Sequence, residues 1–231
     1  MTARSAPRCT LYAYVVPFAI FMAGIALTDA VRRLGSGTDA LLLQHPEHWI
    51  YPLQTLACGT ALVYFWKEYD FGVRGGWLEG VAGGLLALGI WISPQSVFGF
   101  APRLQGFDPT GMAESPILYW LVICARFARL VVVVPLLEEV FWRGFLMRYM
   151  VLEDFVAVAF GTFRPVSFFG VAGFFMLAHS TADWPAAFLT GMIYNGLAVR
   201  TKSLSACVIA HAVTNFGLGV YIMSTEQWGF W

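Results

Sequence analysis

The sequence predicts an all-α fold, a polytopic transmembrane bundle of seven or eight helices. Three observations predict it: hydrophobic residues make up 58% of the 231 residues, charged residues make up only 12%, and the apolar runs have the length of membrane-spanning helices. A water-soluble domain has about a quarter of its residues charged. Lipid must therefore solvate much of this chain. Because the apolar runs do not alternate with period two, we predict helices and not a closed barrel.

The individual spans follow from the requirement for about 20 mostly apolar residues to cross a bilayer. The long run at 116–150 contains Pro135, which either separates two spans or kinks one long helix, so the count stays at seven or eight. Gly80 and Gly84 are spaced for close helix packing. The predicted spans are 11–31, 49–67, 77–98, 116–134, 135–150, 166–182, 185–200 and 203–224.

Basic residues in the short loops predict a cytoplasmic N-terminus. If 116–150 crosses once, Arg4, Arg8, Lys67, Arg74, Arg148, Arg164, Arg200 and Lys202 lie inside, against Arg32, Arg33 and Arg103 outside. The first apolar run is longer than the roughly 7–15 residues of a signal-peptide core, so we expect it to be retained. The net charge of zero gives no basic field for nucleic acid, which we exclude as a partner.

Two adjacent carboxylates lie in an otherwise apolar segment, where a charge costs about 2.5–3.5 kcal/mol on insertion scales. Glu138 and Glu139 point about 100° apart on a helix, and Glu139 is four residues before Arg143, the favourable order for an ion pair. Glu138 has no such local partner. We therefore predict that Glu139 and Arg143 neutralise each other while Glu138 faces a cavity as a base. The alternative is a purely structural buried network.

Two histidines lie in other apolar segments. His179 ends the run Phe175-Met-Leu-Ala-His179, and His211 is four residues before Asn215, which puts both on one face of the last span. Taken singly, each is typical of packing or of hydrogen bonding between membrane helices. Together with the two glutamates, they supply a base, a positioning group and an oxyanion donor pair on three helices. This combination favours a hydrolytic site.

The three segments also match known motifs. EEVFWR fits EExxxR, FMLAH fits FxxxH and HAVTN fits HxxxN, all between residues 138 and 215. In this order and spacing the sequence resembles the CPBP family, which comprises type II CAAX prenyl proteases and bacteriocin-processing or self-immunity proteins. The segment VPLLEEVFWRGFLMRY is similar to a bacterial subgroup associated with exosortase systems. Each motif alone is weak, but the ordered set on three apolar helices is specific.

The resemblance implies an intramembrane endopeptidase that cleaves a lipidated, CAAX-like, or membrane-embedded peptide. It implies that Glu138 activates water with help from His179, that His211 and Asn215 stabilise the oxyanion, and that Glu139 and Arg143 hold the site together. The longest non-helical connection, 93–115, divides the chain into N-terminal transmembrane helices without a motif (1–115) and a CPBP-like catalytic membrane domain (116–231). We expect an integral protein of the bacterial inner membrane, with lipid and a peptide substrate as partners.

Other interpretations stay open at this point. Glu138, His179 and His211 form a set that zinc accepts in hydrolases, with Glu139 then the base, although we expect no resident cofactor. His45-Pro-Glu-His48 has the composition of a metal-binding loop, yet we interpret it as a solvated loop. A non-catalytic membrane protein that binds a peptide, or an immunity protein, is the alternative function. A transporter is disfavoured because no internal repeat is present.

Overall fold

The computed structural model describes residues 8–35, 37, 40–72 and 75–231, and the helices there confirm the all-α fold. Arg4 and Arg74, which enter the predicted orientation, lie outside the described residues, as does the side chain of Arg8. The helices are α1 (Arg8–Leu34), α2 (Leu41–Gln44), α3 (Glu47–Tyr64), α4 (Trp77–Ser96), α5 (Pro116–Tyr149), α6 (Pro165–Leu177), α7 (Trp184–Thr201) and α8 (Leu204–Thr225).

Four of these helices are long and apolar enough to cross a membrane: Thr10–Leu34 of α1 and the whole of α4, α5 and α8. Helix α6 is also apolar but has only 13 residues. At 1.5 Å per residue it extends roughly 20 Å, less than the hydrocarbon thickness of about 30 Å. The chain is therefore an integral membrane protein built as a helical bundle.

The predicted spans differ from the observed helices in two places. The spans 116–134 and 135–150 form the single helix α5, which continues through Pro135. It does so by changing its hydrogen-bonding pattern: Arg129–Val133 and Val140–Leu146 are π-helical, and the segment between them is α-helical. The span 166–182 is too long, since α6 ends at Leu177.

The described chain divides into two compact units, Ala6–Tyr69 and a second one that begins at Asp70. In the second unit α4 packs along α8, and α7 packs against both α6 and α4. Gly80 and Gly84 permit the close packing predicted for them, because a Cβ atom there would lie 2.7 Å and 2.5 Å from carbonyl oxygens of α8. The domain boundary at 115/116 stays a prediction.

Prolines inside the helices leave carbonyls without a backbone donor, and side chains supply one. Pro17 in α1 has no N–H for the carbonyl of Ala13, which instead accepts a hydrogen bond from the hydroxyl of Tyr69 at 3.0 Å. A carbonyl in the hydrocarbon layer finds no water to accept a hydrogen bond from, so these side-chain donors stabilise the helix at its proline. The same relationship occurs in α4 among Pro94, Ile90 and Ser93.

Candidate active site

A fully buried ion pair lies at the centre of the second unit. Glu139 Oε1 accepts a hydrogen bond from Arg143 Nη1 at 2.9 Å, and both side chains are 0% exposed. The same oxygen accepts a second bond from His211 Nδ1 at 2.8 Å. The predicted pairing of Glu139 with Arg143 is thus present, and it is joined by a histidine from α8.

The other two nitrogens of Arg143 also donate hydrogen bonds. Its Nε donates to Asn195 Oδ1 at 3.0 Å, and its Nη2 donates to the carbonyl of Gly191 at 3.3 Å. Asn195 in turn donates through Nδ2 to the carbonyl of Phe168 at 2.7 Å, so it links α5, α6 and α7. Such additional hydrogen bonds offset part of the cost of burying an ion pair. Among the described residues, Glu139 Oε2 is buried without a hydrogen-bond partner.

Asn195 was not identified from the sequence, although a signal was available. It is fully buried and lies in the predicted span 185–200, where a polar side chain needs a reason. It belongs to no motif, and the apolar residues around it carry no spacing that distinguishes it. The presence of a polar side chain in an apolar span was therefore the one signal that the sequence offered for Asn195.

Glu138 differs from Glu139 in hydrogen bonding, in ion pairing and in burial. Its side chain makes no hydrogen bond and no ion pair with the residues that the structure describes. It is 9% exposed, whereas Glu139 is completely buried. Both carboxylates lie in the α-helical segment Val134–Glu139, where successive side chains point about 100° apart. Of the two adjacent carboxylates, Glu138 is therefore the one without a side-chain partner in the described part of the chain and the less deeply buried.

The hydrogen bond to Glu139 fixes the protonation of the His211 ring. A carboxylate accepts, so Nδ1 carries the proton and Nε2 is left as the second functional atom. The ring packs against Tyr194, with the centroids 5.4 Å apart. For His211 to donate a hydrogen bond from Nε2, the ring must carry both protons.

Asn215 supplies the hydrogen bond that Pro135 removes from α5. The N–H of Val134 bonds to the carbonyl of Arg129 in the π-helical pattern, and residue 135, being proline, has no N–H. The carbonyl of Leu130 is left without a backbone donor and accepts from Asn215 Nδ2 at 2.8 Å. One amide proton of Asn215 is thus used structurally, and one remains for another acceptor.

His179 lies beyond the end of α6 and not within a helix as predicted. The helix stops because the main chain turns into an extended residue at Ser180. The Nδ1 atom of His179 donates to the carbonyl of Phe175 at 2.7 Å, satisfying one of the last carbonyls of α6. Trp184 Nε1 donates to the main-chain carbonyl of His179 at 3.2 Å. The ring is thereby positioned with Nε2 as its second functional atom.

The side chain of Phe175 connects these groups. Its ring centroid lies 4.7 Å from that of His179 and 6.2 Å from that of His211, and the guanidinium carbon of Arg143 is 5.0 Å from it. Phe175 is the first residue of the FxxxH motif, so the motif spacing has a packing role. The structure thus brings Arg143 and both histidines around one aromatic ring, and Glu139 is bonded to Arg143 and to His211.

Other predicted contacts are not made directly. Within the described residues, Glu138 shares no hydrogen bond with His179, His211 or Asn215. Among the same residues, His45, Glu47 and His48 form the one group of three or more potential metal ligands whose ligand atoms all lie within 4.8 Å of one another. Glu138, His179 and His211 do not meet this spacing, and zinc at these three residues stays the alternative to the predicted metal-free site.

Comparison with known proteins gives one match. Residues 119–217 match the family model described as "Type II CAAX prenyl endopeptidase Rce1-like", a stretch that contains all six predicted site residues. No curated protein and no solved structure matches the chain. Through this segment, the chain is similar to the Rce1-like family of type II CAAX prenyl endopeptidases, a similarity that supports an intramembrane protease of the CAAX type in general.

Proposed function

We propose that the chain is an intramembrane endopeptidase in which Glu138 activates the attacking water. One observation carries this proposal: Glu139 is held by Arg143 and His211, whereas the adjacent Glu138 has no partner among the described residues and is the more exposed of the two. A general base must be free to accept a proton and accessible to water and substrate. Within the described part of the chain, Glu138 has no side-chain partner and is 9% exposed, whereas Glu139 is bonded through Oε1 to Arg143 and His211 and is completely buried.

The chemical step needs only groups that the chain supplies. Glu138 accepts a proton from water while the water oxygen bonds to the scissile carbonyl carbon. The C–N bond then breaks, and the proton on Glu138 moves to the nitrogen of the leaving amine. His179 Nε2 orients the water or assists this proton transfer, because its Nδ1 is already committed to the carbonyl of Phe175.

The developing oxyanion requires donors aimed at it in a site of low dielectric. The second amide proton of Asn215 is one candidate, since the first is donated to Leu130. His211 Nε2 is the other, provided that the ring is doubly protonated. The carboxylate of Glu139 at 2.8 Å from Nδ1 is the counter-ion for that form.

The substrate we propose is a lipidated, CAAX-like, or otherwise membrane-embedded peptide. The family match supports the CAAX class in general terms. The apolar helices around the site also suit a substrate that reaches it from lipid. We propose no resident metal. Zinc held by Glu138, His179 and His211, with Glu139 as base, is the alternative mechanism.

We also propose which membrane holds the chain and how the chain is oriented in it. The excess of lysine and arginine in one set of loops supports a cytoplasmic N-terminus, and the resemblance to a bacterial subgroup supports the bacterial inner membrane. Membrane lipid and the peptide are the partners we propose.

A non-catalytic peptide-binding or immunity protein is the second candidate, and one observation favours it. Asn215, His179 and Glu139 all make hydrogen bonds that stabilise the fold, so a protein without activity has reason to keep them. Glu138 has no such structural partner and separates the two functions.

The test is a comparison of membrane peptides by mass spectrometry from cells that produce the wild-type chain, the Glu138→Ala variant or the Glu153→Gln variant. Glu153 is an exposed acidic residue outside the site and serves as the matched control. We expect cleaved products with wild type and Glu153→Gln but not with Glu138→Ala. Identical peptides in all three samples would show that the chain is not a protease dependent on Glu138.

A further inference from the structure

A second group of functional side chains lies in the unit Ala6–Tyr69, at the start of α3. His45 precedes Pro46, while Glu47 and His48 are in the first helical turn. The N–H of His48 donates to the carbonyl of His45 at 3.2 Å, which closes the turn. Because Pro46 fixes its own φ, the three side chains are held on one short, rigid piece of backbone.

The three side chains are spaced as metal ligands. One ligand atom from each of His45, Glu47 and His48 lies within 4.8 Å of the other two. His45 Nδ1 and Glu47 Oε1 are 3.5 Å apart. Two ligands at 2.0–2.1 Å from a tetrahedral zinc ion are separated by roughly 3.3–3.4 Å. The imidazole rings are stacked with centroids 5.4 Å apart and an interplanar angle of 12°, so small rotations bring the third atom into range.

The carboxylate of Glu47 is oriented for this role. Its Oε2 accepts a hydrogen bond from Arg32 Nη2 at 3.1 Å, which leaves Oε1 on the side of His45. Arg32 also contacts Asp29 at 3.5 Å, so the positive charge near the ligands is balanced. Partners of this kind hold the ligands of metal sites in place. The His45 side chain is 49% exposed, which gives an ion and its bound water access.

We propose that His45, Glu47 and His48 bind a divalent transition metal ion of the zinc class, with water completing the coordination. Two imidazoles and one carboxylate are the ligands that zinc accepts, whereas calcium and magnesium are bound through oxygen. This proposal departs from the interpretation of His45–His48 as a solvated loop. The site is independent of the proposed protease chemistry and uses none of its residues.

The chain has four histidines, two in each candidate zinc site, and this allows a sharp experiment. The full chain is purified in detergent, stripped of metal and titrated with Zn²⁺ by calorimetry. We expect one ion per chain for wild type. The double variant His45→Asn/His48→Asn should weaken binding by more than about tenfold, and His179→Asn/His211→Asn should leave it unchanged.

A second measurement needs no substitution of His179 or His211. Zn²⁺ should raise the thermal unfolding temperature of the wild type and of Glu138→Gln, and should not raise that of Glu47→Gln or of His45→Asn/His48→Asn. Titration with Co²⁺ should give the visible absorption of a four-coordinate ion in the same proteins that Zn²⁺ stabilises. The proposal is overturned if wild type binds no ion, or if His45→Asn/His48→Asn binds it as tightly as wild type does.

Discussion

Glu139 Oε1 lies 2.8 Å from His211 Nδ1, although the two residues are 72 positions apart in the chain. The contact joins the EExxxR and HxxxN motifs and fixes which nitrogen of His211 carries a proton. Because Arg143 binds the same oxygen, one carboxylate organises a cation and an imidazole from two helices. Glu139 therefore acts on the site through His211 and Arg143.

Replacing Arg143 tests the buried pair. Arg143→Ala leaves the Glu139 carboxylate in the core without its cation, and removing one partner of a buried pair costs about 3–5 kcal/mol in soluble proteins. We expect a lower folded yield and a lower unfolding temperature in detergent. Arg164→Ala, at an exposed arginine, is the control. Equal unfolding temperatures for both variants would contradict the burial of the pair.

Asn195 offers a finer test of the same network. Asn195→Asp keeps an oxygen for Arg143 Nε but has no N–H for the carbonyl of Phe168, whereas Asn195→Leu loses both hydrogen bonds. Each unsatisfied buried polar group costs about 1–3 kcal/mol. We expect Asn195→Leu to unfold at a lower temperature than Asn195→Asp, and both to unfold below the wild type. The reverse order would mean that Arg143 does not need the oxygen of Asn195.

The relationship between Asn215 and Pro135 predicts non-additive effects. Asn215→Ala should destabilise the wild type by about 1–3 kcal/mol, because the carbonyl of Leu130 loses the hydrogen bond from Asn215 Nδ2. In the Pro135→Ala background the new N–H of residue 135 can bond to that carbonyl, so Asn215→Ala should cost less. A double-mutant cycle on thermal unfolding measures the difference. Strictly additive effects would refute the relationship.

The helical membrane architecture could be predicted from the sequence because lipid leaves the backbone few choices, so apolar length alone located the main helices. The i, i+4 pairing of Glu139 with Arg143 could be predicted for a similar reason, since helix geometry fixes which side chains are neighbours. Both predictions use local sequence only.

The contacts that depend on distant segments could not be predicted. The bond between Glu139 and His211 requires a particular rotation of α8 against α5, which no periodicity encodes. The π-helical segments beside Pro135 result from a balance between one missing N–H and the packing of the helix. The end of α6 at Leu177 was missed because His179 continues an apolar run, while its ring caps the helix.

Metal removal distinguishes the two hydrolytic mechanisms. If Glu138 activates water directly, a chelator should leave peptide cleavage unchanged within error, even where it strips an ion from His45, Glu47 and His48. The assay is cleavage of a membrane peptide by the purified chain before and after chelation. His45→Asn/His48→Asn is the control that removes the second site. Loss of activity in both proteins, restored by zinc, would favour the metal-dependent alternative.

The most direct test compares the two adjacent glutamates. Glu138→Gln keeps the shape of the side chain but removes the base, so turnover of a membrane peptide should be lost while the unfolding temperature and peptide binding stay close to those of the wild type. Glu139→Gln weakens the bonds to Arg143 and His211, so its unfolding temperature should fall first and its activity in proportion. Cleavage rate and thermal unfolding are measured on the same purified samples. Near-wild-type turnover by Glu138→Gln would contradict the central claim that Glu138 is the base.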